Sequence, residues 1–121
     1  MTLNVLIIEN ESIVALDIKQ RLILMGYNVV GTVPSGEEAL DIIEDNVVDL
    51  VLMDAYLDGK LDGIETAMHI RTDFDTPIIY ISASFNLEKH EKIELTEPYE
   101  YIRKPFDNDQ LQLAINNSFK N

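Results

Sequence analysis

The 121-residue sequence contains no cysteine and no tryptophan. Without cysteine, disulfide scaffolds, thiolate-held metals, iron–sulfur clusters and cysteine nucleophiles are excluded. Cationic side chains are scarce: nine Lys and Arg stand against 22 Asp and Glu, a formal net charge of −13. Such a surface repels phosphate backbones, so the chain is not expected to bind nucleic acid. It suits a partner with a basic patch or a metal cation, and it also serves simply to keep a protein soluble and monomeric. Long hydrophobic runs are missing too. Val5 to Ile8 is typical of the longest, far short of a membrane span. No basic region followed by an apolar core marks a secretory signal, so a cytoplasmic protein that does not engage a membrane is expected. Proline and glycine are few and form no low-complexity stretch, which excludes a disordered tail.

What is present is 46% hydrophobic residues in a length that suits one domain, expected over residues 1–121. A chain of this size buries roughly two-thirds of its unfolded surface and folds without staples. Five short runs rich in Val and Ile recur along it: Leu3–Ile8, Asn28–Val33, Val48–Met53, Pro77–Ser82 and Tyr99–Arg103. Most are apolar at nearly every position rather than alternating, as strands are when both faces are covered. The segments between them are long enough for crossover helices. Together they predict an α/β fold, a five-stranded parallel sheet with helices on both faces.

Local signals set the helix boundaries. Ser35-Gly36-Glu37-Glu38 reads as a capping box in which Ser35 caps the helix and Glu38 reaches back. Asp107-Asn108-Asp109-Gln110 opens the last helix, whose core stripe is predicted to be Leu111, Ala114, Ile115 and Phe119. Gly26 stands where the first helix should stop. The third helix begins near Gly63-Ile64 and continues through Ala67, Met68 and Arg71. The fourth, about Asn86–Leu95, has Leu87 and Ile93 as nearly its only apolar anchors and is expected to be short and mobile.

In an open parallel sheet, ligands bind beyond the carboxyl ends of the strands. The residues there are Glu9, Asn10 and Glu11 after the first run, Asp54 after the third, Ser82, Ala83 and Ser84 at the fourth, and Lys104-Pro105 after the fifth. Taken singly, an acid after a strand is often a helix cap, Ser82 a strand-end hydroxyl, and Lys104-Pro105 a loop. Asp54 is different, because Leu50-Val51-Leu52-Met53 buries its approach and no helix start follows for it to cap. Acids from two strands, a hydroxyl from a third and a lysine from a fourth form a site for a hard cation and an anion together.

These residues carry a resemblance. Val5-Leu6-Ile7-Ile8-Glu9-Asn10-Glu11, Val51-Leu52-Met53-Asp54, Leu61-Asp62-Gly63-Ile64-Glu65, Ile79-Tyr80-Ile81-Ser82-Ala83 and Tyr101-Ile102-Arg103-Lys104-Pro105-Phe106 fall in order across the chain. In this the sequence resembles the CheY-like receiver domains of two-component response regulators. The resemblance implies a doubly wound, flavodoxin-like sheet of order 2-1-3-4-5, an order that spacing alone does not supply. It implies that Asp54 is the phosphoacceptor, a carboxylate nucleophile that forms an acyl phosphate. Glu9, Asn10, Asp54 and the backbone carbonyl of Tyr56 match the Mg²⁺-holding positions. Lys104 matches the lysine that pairs with a phosphoryl oxygen, and Ser82 the hydroxyl that turns toward it. Tyr101 matches the aromatic switch residue, though by itself it reads as a half-buried strand tyrosine. The implied partners are a sensor histidine kinase or phosphotransfer protein upstream, and a downstream effector or fused output domain. Homodimerisation through helix four, strand five and helix five is common among such proteins.

Three departures from that pattern carry expectations. Asn10 replaces a usual acid and brings no charge, so weaker Mg²⁺ affinity is expected unless Glu11 compensates. The stretch from Ala55 to Asp62 is one residue longer than the common form and lacks its proline; Gly59 supports the extra turn, and Asp58 and Asp62 read as solvated charges. Tyr56 and Ser84 match positions that tune hydrolysis of the phosphoaspartate, and a bulky Tyr56 is expected to shield it. His69 and His90 are expected to face solvent. The leading expectation is a phosphoaccepting switch, not an enzyme acting on other substrates. The alternatives are a pseudo-receiver that binds partners without phosphorylation, supported by Asn10, and a flavodoxin-like small-molecule binder. The last is disfavoured because Glu9-Asn10-Glu11-Ser12 offers no Gly-rich phosphate cradle.

Overall fold

A computed structural model describes residues 2–57, 62–83 and 87–120. Strands and helices alternate in chain order: β1 (Asn4–Ile8), α1 (Ser12–Leu24), β2 (Asn28–Val33), α2 (Gly36–Asp45), β3 (Leu50–Asp54), α3 (Gly63–Asp73), β4 (Ile78–Ser82), α4 (Leu87–Glu94), β5 (Glu100–Arg103) and α5 (Asn108–Ser118). The five strands form one parallel sheet of order β2-β1-β3-β4-β5. The doubly wound reading therefore holds.

Alternation along each inner strand divides the apolar residues between two layers. Leu6, Ile8, Val51, Met53, Ile78 and Tyr80 face α2, α3 and α4, where Ala39, Ile43, Ile64, Ala67, Ile70 and Ile93 meet them. Val5, Ile7, Leu50, Leu52, Ile79 and Ile81 face α1 and α5, against Ala15, Ile18, Leu22, Leu111, Ala114 and Ile115. Covering both faces explains why these strands are continuously apolar. At the opposite end from the carboxyl termini, a polar latch joins the strand starts. Asn4 N donates to Asp49 Oδ2 at 2.8 Å, Asp49 N to Asn4 O at 2.8 Å, and Asn28 Nδ2 to Asn4 Oδ1 at 2.9 Å.

Several boundaries shift from their expected places. Asp54 is the last residue of β3 rather than the first beyond it, because the ladder with β4 continues one residue past the apolar stretch, while Ser82 ends β4 where its run ends. Ser35 Oγ accepts from Glu38 N at 3.3 Å, while exposed Glu38 leaves the return half of the box unmade. Both halves form at α5, between Asp107 and Gln110. Phe119 lies just past α5 and is 44% exposed, so it leaves the stripe that Leu111, Ala114 and Ile115 make. Met68 also points outward, one position off the buried row of Ile64, Ala67 and Ile70. Gly26, at φ +94°, ends the first helix as its position implied. Helix α4 is short, eight residues, with Ile93 fully buried.

Candidate functional site

The carboxyl ends of β1, β3, β4 and the turn after β5 meet at one edge of the sheet. Glu9 follows β1, and its N–H donates to Val33 O at 2.9 Å, which holds it in line with the β1–β2 ladder. Its side chain is turned inward and the residue is only 5% exposed. Asp54 ends β3. The N–H of Tyr56 donates to Asp54 Oδ1 at 2.8 Å, which fixes the carboxylate and leaves Oδ2 for other partners. Lys104 N donates to Ser82 O at 2.8 Å, so the end of β4 sets where the lysine leaves the sheet.

From there Lys104 Nζ reaches across the edge. It donates to Glu9 Oε1 at 2.8 Å and stands 3.9 Å from Asp54 Oδ2. One ammonium thus serves two carboxylates drawn from strands that are adjacent in the sheet. Burial, and then the neighbouring Asp54 carboxylate, push the Glu9 carboxyl up to about 7 against the opposing pull of Lys104. Glu9 Oε2 is buried with no hydrogen-bond partner among the described residues. An orphaned buried acceptor beside a second carboxylate is what a hard divalent cation would satisfy through oxygen ligands.

The donors expected for such a cation, Glu9, Asp54, the Asn10 amide oxygen and the carbonyl of Tyr56, are all oxygen. They fit Mg²⁺ in kind. They supply only two charges, and among the described residues no group of three or more His, Cys, Asp or Glu is gathered for a metal. Asn10 is exposed, as is Glu11, which occupies the N-cap of α1 without a side-chain cap bond.

The remaining expected residues divide. Ser82 is fully buried at the edge. Tyr101 is half-buried on β5 and meets His90 of α4 edge-to-face, with ring centroids 5.9 Å apart at 82°. His69 is exposed as expected, but His90 is not simply solvent-facing: its ring is held between Tyr101 and Glu94, whose Oε1 is 3.6 Å from Nε2. Asp62 is likewise more than a solvated charge. It caps α3, accepting from Glu65 N at 2.8 Å, and the Asp-x-x-Glu spacing was a readable sign of it. Asp58, Gly59 and Ser84 lie outside the described residues.

Gly63 is a positioning residue that the sequence reading took only as a helix start. A Cβ there would sit 2.7 Å from Asp54 O and 2.9 Å from Ala55 O. Helix α3 can approach the end of β3 this closely only without a side chain. Nothing short of the packed backbone reveals that distance.

The family model for the response regulator receiver domain matches residues 5–116. The chain is 35% identical over 113 residues to the probable transcriptional regulator ycf27 of Cyanidium caldarium, covering 93% of this chain and 44% of that protein. It is 32% identical over 111 residues to the transcriptional regulatory protein PdtaR of Mycobacterium tuberculosis, covering 92% and 54%. This chain therefore spans about half the length of those curated relatives. Among solved structures, the signal receiver domain of a modulated diguanylate cyclase from Desulfovibrio desulfuricans superposes with a TM-score of 0.93 at 33% identity, covering 98% and 94% of the two chains. The receiver domain of NtrX from Brucella abortus gives 0.85 at 27%, covering 94% and 96%.

Proposed function

The chain belongs to the response regulator receiver family, and from that membership we propose that it is a working phosphoacceptor in a histidine–aspartate phosphorelay. The observation that supports this most directly is Lys104 Nζ set between the Glu9 and Asp54 carboxylates, 2.8 and 3.9 Å away. In this reading Asp54 Oδ2 attacks the phosphorus of a phosphohistidine on a sensor kinase or phosphotransfer protein. The new O–P bond forms as the P–N bond breaks, and the histidine nitrogen takes the electron pair. Tyr56 N–H holds Oδ1 still, so that only Oδ2 is presented. Lys104 can shift from Glu9 to an oxygen of the transferred group, placing its charge where the new negative charge sits. Mg²⁺ held by Glu9, Asp54, Asn10 and the Tyr56 carbonyl would neutralise the nucleophile and the incoming phosphoryl oxygens.

The output follows by rearrangement at the far side of β4. Ser82 turns its hydroxyl toward the phosphoryl group, Tyr101 moves inward, and the surface made by α4, β5 and α5 changes shape. That surface would meet a downstream effector, a fused output segment or a second copy of the chain. The transcriptional regulators to which it is similar are about twice its length, which suits an output segment. The chain acts as a cytoplasmic switch on itself, with no other substrate. Half-buried Tyr56 stands next to the acceptor and shields its acyl phosphate. The Tyr56→Asn variant should lose its phosphate faster, and a slower loss would refute the shielding.

The deciding experiment is intact mass after incubation with acetyl phosphate, with and without Mg²⁺, beside an Asp54→Asn control. A single Mg²⁺-dependent phosphoryl adduct, absent from the control, is expected. The uncharged Asn10 favours a second reading, a pseudo-receiver that binds partners unphosphorylated. Absence of any adduct at saturating Mg²⁺ would overturn the first reading in favour of the second.

A further inference from the structure

Helix α4 has an attachment that the phosphoacceptor chemistry does not use. Tyr80, in the middle of β4, is fully buried, and its hydroxyl lies 2.7 Å from Thr96 Oγ1, which is also buried. Thr96 Oγ1 in turn donates to Ile93 O at 2.7 Å, the same carbonyl that accepts from Thr96 N at 2.8 Å. A threonine hydroxyl carries one proton and a carbonyl none, so the direction is settled: Tyr80 donates to Thr96, and Thr96 donates to Ile93. Burial pushes the Tyr80 phenol up to about 12, which keeps that proton in place at physiological pH. Ile93 is the fully buried anchor of α4, and Thr96 lies just beyond the helix end.

About one turn earlier the helix is held differently. There His90 meets the Tyr101 ring edge-to-face, with centroids 5.9 Å apart. Tyr101 is the register partner of Tyr80 across the β4–β5 ladder, and the Tyr80 ring also meets Tyr99 edge-to-face at 5.4 Å. One tyrosine therefore holds the C-terminal end of α4 by hydrogen bonds, while its neighbour in the sheet holds the earlier part by a ring contact that a rotation of Tyr101 would break.

We propose that the chain of hydrogen bonds from Tyr80 through Thr96 to Ile93 is a tether fixing the C-terminal end of α4 to β4, so that α4 moves by swinging its N-terminal end about that point. The tether exists in the unphosphorylated protein. The swing rests on the phosphoacceptor reading above. A buried hydrogen bond between two hydroxyls cannot be exchanged for water while the core stays closed, so it resists a sliding or whole-helix melting that a ring contact would permit.

Hydrogen–deuterium exchange on the full chain tests both parts, with acetyl phosphate and Mg²⁺ added or withheld and intact mass reporting the adduct. In the unphosphorylated protein, Tyr80→Phe and Thr96→Val should each speed exchange around residues 93–97 about tenfold or more, with α1 and α2 unchanged. The double variant should exchange as Thr96→Val alone does, and Thr96→Ser should restore the wild-type rate. Wild-type exchange in both single variants, or an equal rise in every helix, would overturn the tether. In the phosphorylated wild type, exchange should rise in the N-terminal half of α4 and stay unchanged at 93–97. A rise along the whole helix would overturn the swing. Failure to form an adduct would remove the swing together with the phosphoacceptor reading, while the unphosphorylated arm still decides the tether.

Discussion

At the scale of single residues, Glu9 is held far from its ordinary chemistry. Its carboxyl titrates at about 7 in the folded protein against 4.5 for the ordinary side chain, chiefly because it is buried and beside Asp54. Between those values the folded state holds a proton that the unfolded chain releases. The stability this group contributes is complete below the lower value and is lost as pH rises through about 7. Glu9→Gln imitates the protonated form. Without metal, its melting temperature should gain on the wild type as pH rises from about 5 to about 8; a gap that stays level would refute the assignment. Added Mg²⁺ should narrow the gap, since the cation favours charged Glu9. The second residue to test is Asn10. Asn10→Asp supplies a third charge, and calorimetric titration should show Mg²⁺ affinity higher by roughly tenfold or more. Unchanged affinity would remove Asn10 as a reason for weak binding. Glu9, Asp54 and Lys104 were all legible before folding, because acids and a lysine at strand ends have few structural explanations as a group. Tyr80 and Thr96 were not, because a tyrosine in an apolar strand and a threonine in a loop show no sign of facing each other.

Among the elements, α3 begins in close contact with the end of β3. Its first residue, Gly63, lies so close to the end of β3 that a methyl group would overlap Asp54 O and Ala55 O. Gly63→Ala should lower stability by about 1–3 kcal/mol in urea unfolding, the usual cost of forcing an extra carbon into a packed contact. It should also slow phosphorylation, because the strain falls on the backbone that carries the acceptor. Wild-type values for both would mean that α3 gives way freely. Helix α4 shows the opposite condition. Its short length and sparse apolar anchors were readable from Glu88, Glu91, Lys92 and Glu94 around Ile93. Its means of attachment was not readable, because a tether between Tyr80 and Thr96 spans two elements. Caps fared according to their locality: Asp107 and Gln110 close their box as the spacing implies. Ser35 makes only half of its own, since an exposed glutamate is equally well solvated by water.

For the whole molecule, charge is the dominant unbalanced quantity. The net charge is −13, and no Lys or Arg occurs between Arg21 and Lys60, a stretch that includes the acids of α2. Like charges without counterions nearby repel each other and favour expansion. Raising ionic strength at neutral pH should therefore raise the melting temperature by several degrees, and a flat response would show that the surface charges are already compensated. The amino-acid pattern alone determined the layered α/β architecture, because five apolar runs separated by helical segments leave a chain of this size no other way to cover both faces of its strands. It also determined which residues stand at the strand ends, since those positions are fixed along the chain. Tertiary structure alone decided the distances: that Lys104 bridges Glu9 and Asp54, that one oxygen of Glu9 is left buried without a hydrogen-bond partner among the described residues, that Gly63 has no room for a carbon, and that Tyr80 reaches Thr96. Each joins groups remote in sequence or turns on a few tenths of an ångström of packing, and no local pattern encodes a separation in space.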